Sequence, residues 1–211
     1  MEEGHQHSHG HHDHGGHGQQ HWNERYAGTE RLFNLEPDET LVELVGNLTP
    51  GRAVDLGAGE GRNSIWLAKN KWHVTAVDIS DVAIGRLQAA AVEENCDVTV
   101  VVSDLMEFLD RGALFELVVL AYIQWPLEER SRLLERASAA VAPGGHLFLV
   151  GHHLDSLGKG GPPQPDRLYT EDSLQSAFPG LELIKLERAE REAGDNGLPL
   201  VDVSVWAERP L

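Results

Sequence analysis

Residues able to hold a ligand gather first in RAVDLGAGEGRNSIWLA, residues 52–68, where Asp55 stands two positions ahead of Gly57, with Gly59 and Gly61 following at alternate positions. A strand that ends in a glycine turn and feeds a helix brings backbone N–H groups and the positive helix end close to a ligand, with no Cβ to block the approach. A nucleotide or nucleoside suits such a turn. The dinucleotide fingerprint requires G-x-G-x-x-G, but counted from Gly57 its third site is Arg62, and the glycine comes one residue early at Gly61. GEGRNS also lacks the G-K-S/T that follows the glycines of a phosphate-cradling loop. A nicotinamide cofactor and ATP hydrolysis are both disfavoured.

These residues need a scaffold, and the chain supplies one in a βαβ rhythm. Strands are expected at 53–57, 73–78, 98–102, 116–121 and 146–151, with helical patterns at 60–70, 82–94, 127–141 and 171–177 between and after them. LVVLAYI and HLFLVG are nearly continuous apolar runs, as expected of strands covered on both faces. LELIKLERAER and LVDVSVWAE flank the turn-rich EAGDNGLP and read as an antiparallel hairpin closing the sheet. The expected fold is a Rossmann-like, doubly wound α/β sheet of seven strands, mostly parallel with a C-terminal antiparallel hairpin. It occupies residues 22–211 and follows a tail of 1–21.

The tail, MEEGHQHSHGHHDHGGHGQQH, holds eight of the chain's twelve histidines and no large apolar side chain beyond the first methionine, so disorder is expected of it. His5, His7, His9, His11, His12 and His14 are candidate ligands for Zn, Ni or Cu, because closely spaced imidazoles on a flexible tract can wrap one ion. A solvated low-complexity segment and an expression tag are the alternatives. A formal net charge of -17 argues against nucleic acid as the main partner. One cysteine, Cys96, excludes an internal disulfide and fits a reducing compartment. With no apolar run long enough to span a bilayer, the expectation is a soluble, cytoplasmic monomer or homodimer without membrane contact.

VDLGAGEGRNSIWLA, HVTAVDIS, VVSDLMEF, LVVLAYIQW and VAPGGHLFLV, taken in this order, resemble the class I S-adenosylmethionine-dependent methyltransferases over about residues 22–207. HWNERYAG followed by GRAVDLGAGEGRNSIWLA is further similar to the bacterial tellurite-resistance and thiopurine methyltransferase-like group. The resemblance implies a cofactor, S-adenosylmethionine, with S-adenosylhomocysteine as product. It assigns cofactor contacts to Asp55, Gly57, Ala58, Gly59, Gly61, Asn63, Asp78, Ile79, Ser103, Asp104, Leu105 and Ala121. It also implies an N-terminal helix over the cofactor, lined by Trp22, Arg25 and Tyr26, with Arg25 meeting the cofactor carboxylate.

The chemistry of these residues agrees. A sulfonium and an ammonium suit an acid such as Asp55, which would repel a phosphate. Asp78 closes the second strand, where a carboxylate can accept both ribose hydroxyls; capping the helix from Asp81 is its other reading. Asp104 can take the adenine amino group between Ile79 and Leu105, or cap a helix.

After the fourth strand, Ala121, Tyr122 and Trp125 should face the sulfonium, where an aromatic face favours a cation by about 0.5–2 kcal/mol; core packing is the alternative for Tyr122. GHHLDSLGKGGPPQPDRLYTED, residues 151–172, is a candidate substrate cover. His152 and His153 at its start are positioning or base candidates, or simply solvent-exposed. Thr170 reads as a helix cap.

Methyl transfer needs no protein nucleophile, only alignment and exclusion of water. No NPPY-type stretch follows the fourth strand, and amino-methylating DNA enzymes use one to hold a flipped base. A small-molecule acceptor is therefore expected, a thiol or chalcogen oxyanion fitting the narrower resemblance. Two competing readings stay open: a metal-binding protein that uses its tail, with a nucleoside-binding domain that does not turn over, and another nucleoside-using enzyme, such as one taking decarboxylated S-adenosylmethionine, against which Arg25 argues.

Overall fold

The computed structural model describes residues 18–30, 36–191 and 198–211. Seven strands form one sheet: β1 (Arg52–Leu56), β2 (His73–Asp78), β3 (Val98–Val102), β4 (Phe115–Ala121), β5 (Val141–His152), β6 (Glu182–Arg191) and β7 (Leu200–Glu208). Their order is β3-β2-β1-β4-β5-β7-β6. β1 to β5 run parallel, and β7 is antiparallel to both of its neighbours, β5 and β6. The expected Rossmann-like sheet is present. The hairpin places its second strand inside the sheet and leaves β6 at the edge.

Side chains alternate between the two faces of each strand. Val54 and Leu56 of β1, with Val118, Leu120, Leu147 and Leu149, pack under α5 (Leu105–Leu109), α6 (Leu127–Ala139) and α7 (Glu171–Leu174). The other face carries Ala53, Leu117, Val119, Phe148 and Val150 against α2 (Glu39–Val45) and α3 (Arg62–Lys69). α4 (Asp81–Glu93) inserts Ile84 and Leu87 beside Ala58 and Ala76. Helices on both faces explain why the central strands read as continuous apolar runs.

Four features differ from expectation. α1 (Gln19–Ala27) begins inside the tail assigned to residues 1–21. α2 and α5 are additional short helices, each started by an aspartate that caps its first N–H groups, Asp38 and Asp104. β5 begins at Val141 rather than 146, because VAPGG continues the pairing through an irregular register, with Val141 opposite Phe115 and Gly144 N–H donating to Arg209 O. α7 stops at Leu174, short of 177, ahead of the Pro179–Gly180 break.

Candidate active site

The strand order reverses between β1 and β4, and in open α/β sheets the crevice at the carboxyl ends of those strands is where ligands bind. The glycine turn follows β1 at this point. Gly59 has φ +55° and Gly61 φ +90°, a region closed to most L-residues. A Cβ on Gly59 would come within 2.8 Å of the Tyr26 hydroxyl, and one on Gly61 within 2.4 Å of Leu87 Cγ. The glycines thus serve two close approaches, the α1 helix from above and α4 from below. The turn's own N–H groups are used internally. Gly57 and Ala58 donate to Val77 O, Gly61 donates to Ala58 O, and Gly59 donates to the Asp78 carboxylate at 2.9 Å. These four N–H groups are therefore not a cradle for phosphate.

Acids surround the turn instead. Asp55 is fully buried and accepts a 2.6 Å hydrogen bond from Ser64 Oγ; burial pushes its carboxyl up to about 6, against the Ser64 hydroxyl and the nearby Arg62 charge, which pull it down. Asp78 ends β2 with Oδ2 on Gly59 N–H and Oδ1 on Ser80 N–H, each at 2.9 Å. Its carboxyl is raised chiefly by burial, with those backbone donors opposing. Ser80, not Asp78, caps α4 through Ala83 N–H, which removes the capping reading of Asp78. Glu60 is buried and pairs with Arg86 at 2.8 Å.

α1 lies over this turn, as the resemblance implies for an N-terminal helix. Tyr26 is buried against Gly59, and desolvation with the Asp78 and Glu60 charges raises its phenol well above the ordinary range. Ser80 Oγ donates to Asn23 Oδ1 at 2.7 Å, pinning the helix to the start of α4. Arg25 is exposed and stacks over the Trp22 ring at 4.8 Å. Asn63 is buried, and its Oδ1 accepts from Asp38 N–H at 3.0 Å, so that oxygen anchors α2. At the β3 end, Ser103 N–H donates to Asp78 O, and Leu105 is buried while Ile79 is partly so. Asp104 caps α5 through Oδ1; among the described residues Oδ2 has no partner, which leaves it open to an amino group.

Beyond β4 the structure gathers a polar cluster. Tyr122 adopts φ +58°, a rare value for a bulky residue, and its hydroxyl donates to Asp202 Oδ2 at 2.8 Å. Asp202, on β7, also takes Arg191 Nε at 2.7 Å and pairs with His152 Nδ1 at 2.8 Å. The His152 and Tyr122 rings lie 5.0 Å apart, and the Arg62 and Arg191 guanidiniums sit 5.1 and 5.5 Å from the Tyr122 ring centre. Ala121 and Tyr122 pack on one core layer, and Trp125 packs partly buried on the other.

His153 requires a correction. Its ring is buried, with Nε2 on Glu171 at 2.8 Å and Nδ1 accepting from Asp155 N–H at 3.1 Å. Both nitrogens are committed to pinning the 151–172 connection, so His153 is neither a base facing an acceptor nor solvent-exposed. That connection is tied down further by Tyr169, whose hydroxyl donates to Ile123 O at 2.6 Å, and by Gln124 Nε2 on Arg167 O. Thr170 caps α7 as expected, in a reciprocal arrangement with Ser173.

His5, His7, His9, His11, His12 and His14 lie outside the described residues, among which no group of three potential ligands is placed to hold a metal. Among the same residues no helix is long and apolar enough to cross a membrane.

Asp202, Arg191, Arg62, Asp38 and Ser64 were not anticipated. LVDVSVWAE is expected only as one strand of a hairpin, yet β7 is buried from Leu200 to Ala207 because it lies inside the sheet. An acid at the third position of such a strand is a signal only once that placement is known.

Residues 53–145 match the model of the methyltransferase domain family. Thiopurine S-methyltransferase of Aliivibrio salmonicida is 25% identical over 89% of this chain and 97% of its own length. Other curated relatives align over 33%, 31% and 58% of their own lengths. Among solved structures, TehB from Haemophilus influenzae superposes with a TM-score of 0.68 at 18% identity, covering 90% of this chain and 66% of that one. The magnesium protoporphyrin IX methyltransferase of Synechocystis PCC 6803, solved with bound SAH, gives a TM-score of 0.63 at 21% identity over 81% of this chain and 78% of its own. The family match over residues 53–145 and the fold shared with these structures make the chain similar to class I S-adenosylmethionine-dependent methyltransferases. The similarity runs over most of the chain for the thiopurine S-methyltransferase and, in fold, for TehB.

Proposed function

We propose that this protein transfers a methyl group from S-adenosylmethionine to a small, soft nucleophile, a thiol or a chalcogen oxyanion. The observation that carries the cofactor half is the acid-lined glycine turn, with its N–H groups turned inward and Asp78 fixed between Gly59 and Ser80. A buried, pre-oriented carboxylate at this strand end suits vicinal ribose hydroxyls, and Asp55 suits a cationic amino acid moiety. Ile79 and Leu105 are placed to flank an adenine, with Asp104 Oδ2 available to its amino group. Trp22, Arg25 and Tyr26 of α1 cover the turn.

The cofactor supplies an activated methyl on a sulfonium, and the chain's own residues hold the acceptor in line and keep water out. The acceptor side is the Tyr122 cluster, where aromatic and guanidinium groups meet at the β4 end. The relative named for S-methylation of thiopurines supports sulfur as the accepting atom. Metal binding by the tail histidines is a separate proposal and rests on composition alone.

The test is incubation of the full chain with S-adenosylmethionine and a panel of thiols, selenite and tellurite, with mass-spectrometric detection of S-adenosylhomocysteine and methylated product. Stoichiometric product from at least one of these acceptors is expected. S-adenosylhomocysteine formation only from amine or carboxylate acceptors would contradict the acceptor class.

A further inference from the structure

Resting on the methyl-transfer reading above, we infer that His152, oriented by Asp202, is the proton acceptor for a protonated thiol at the acceptor side of the site. The geometry is that of a positioned base. Asp202 accepts at this contact, so the 2.8 Å distance to His152 places a proton on Nδ1, and in the neutral imidazole that tautomer leaves the Nε2 lone pair as the acceptor. Among the described residues Nε2 has no hydrogen-bond partner, while the ring is only 14% exposed. Asp202 is itself fixed, with Oδ2 taking both the Tyr122 hydroxyl and Arg191 Nε. Segments distant in sequence converge here: the β4 end, the β5 end and the turn end of the β6–β7 pair.

Backbone strain marks the same place. Tyr122 is held at φ +58°, a strained conformation for a bulky residue, and such strain persists where the surroundings over-determine it, often at functional sites. Gly161 packs its Cα against the His152 ring, since a Cβ there would stand 2.5 Å from Cδ2 and 3.2 Å from Nε2. The Gly-rich part of the 151–172 connection therefore borders the free nitrogen and forms one wall of the acceptor space. Arg62, in the first turn of α3, links this space to the glycine turn, because it faces the Tyr122 ring and its charge acts on Asp55.

The step balances. The thiol S–H proton passes to His152 Nε2 as a sulfur lone pair bonds to the methyl carbon, and the electron pair of the broken carbon–sulfur bond remains on the departing thioether. The imidazolium is stabilised by Asp202 and then releases its proton to water. The other charged or titratable groups facing the ring's surroundings are Tyr122, Arg62, Arg191 and Asp38, the last with Oδ2 3.5 Å from the Tyr122 hydroxyl. Asp202 acts through His152 and is a positioning residue.

Two measurements on the full chain test this. Nitrogen-15 NMR of histidine-labelled protein, with His152 assigned by its loss in His152→Gln, should show that the neutral ring carries its proton on Nδ1, a tautomer preference that Asp202→Asn abolishes. This readout does not depend on turnover. Methyl transfer is then compared for 2-mercaptoethanol, protonated at neutral pH, and 5-thio-2-nitrobenzoate, already ionised there. His152→Gln should lower kcat/KM for 2-mercaptoethanol by roughly 10²-fold or more, the usual share of a general base, and by at least tenfold more than for the ionised thiol.

A neutral ring with its proton on Nε2, or equal losses for the two thiols, overturns the assignment. Wild-type protein that binds S-adenosylmethionine and methylates neither thiol also overturns it, leaving the cofactor reading intact; absence of cofactor binding removes the methyl-transfer reading itself.

Discussion

Asp78 ends β2 with one oxygen on Gly59 N–H and the other on Ser80 N–H, which fixes the plane of the carboxylate before any ligand arrives. Each charge-assisted bond to a ribose hydroxyl is worth about 1.5–3 kcal/mol. Asp78→Ala should therefore weaken S-adenosylmethionine binding by roughly 10²-fold or more, read by titration calorimetry; unchanged affinity would sink the ribose assignment.

Asp55 leads to a prediction with two signs. Its carboxyl is raised by burial to about 6 from 3.8, so the folded protein binds this proton more tightly than the unfolded chain. The stabilisation from neutral Asp55 is complete below the unfolded value and is lost as pH climbs to about 6, after which the buried charge is a standing cost. Asp55→Asn should raise unfolding stability at pH 7.5 by up to about 3 kcal/mol and give little gain at pH 4. Cofactor affinity should move oppositely. In the parent it strengthens as pH rises through 6, because a cationic ligand favours the carboxylate, and in Asp55→Asn that slope disappears. A parent affinity that does not respond to pH between 5 and 7 would remove Asp55 from the cationic end of the ligand.

At the level of elements, the glycine turn is where α1, α4 and β2 meet. Gly61→Ala forces a Cβ into Leu87 at φ +90°, combining overpacking with backbone strain. A loss of about 2–5 kcal/mol in denaturant unfolding is expected, whereas a loss below about 0.5 kcal/mol would mean that α4 has room to withdraw. The turn, the acids after β1, β2 and β3, and the parallel strands were legible because each combines a period with a punctuating residue: an apolar run, then Asp or Gly. VAPGG lies outside the strand expected at 146–151 because Pro143 and two glycines hide a backbone that pairs through a register shift. α2 and α5 were missed because five to seven residues are too few to show a helical period. The Tyr122 cluster was the least legible part. Tyr122, His152, Arg191 and Asp202 are spread over 80 positions, and only the β7 insertion between β5 and β6 brings them together.

Over the whole molecule, the negative charge and the acid-lined turn suit a cationic ligand better than a polyanion. Among the described residues the first contact from α1 to the site is Asn23 with Ser80 Oγ, so deletion of residues 1–17 should leave S-adenosylmethionine affinity within about threefold of the full chain, a difference under about 1 kcal/mol. A larger drop would bring the tail histidines into the site.

The central claim is that this domain binds S-adenosylmethionine at the carboxyl edge of β1, β2 and β3. Calorimetric titration of the full chain with S-adenosylmethionine and, separately, with S-adenosylhomocysteine tests it most directly. Both should bind at one site with Kd on the order of micromolar and compete with each other. Absence of heat from both, in protein shown to be folded, would contradict the account.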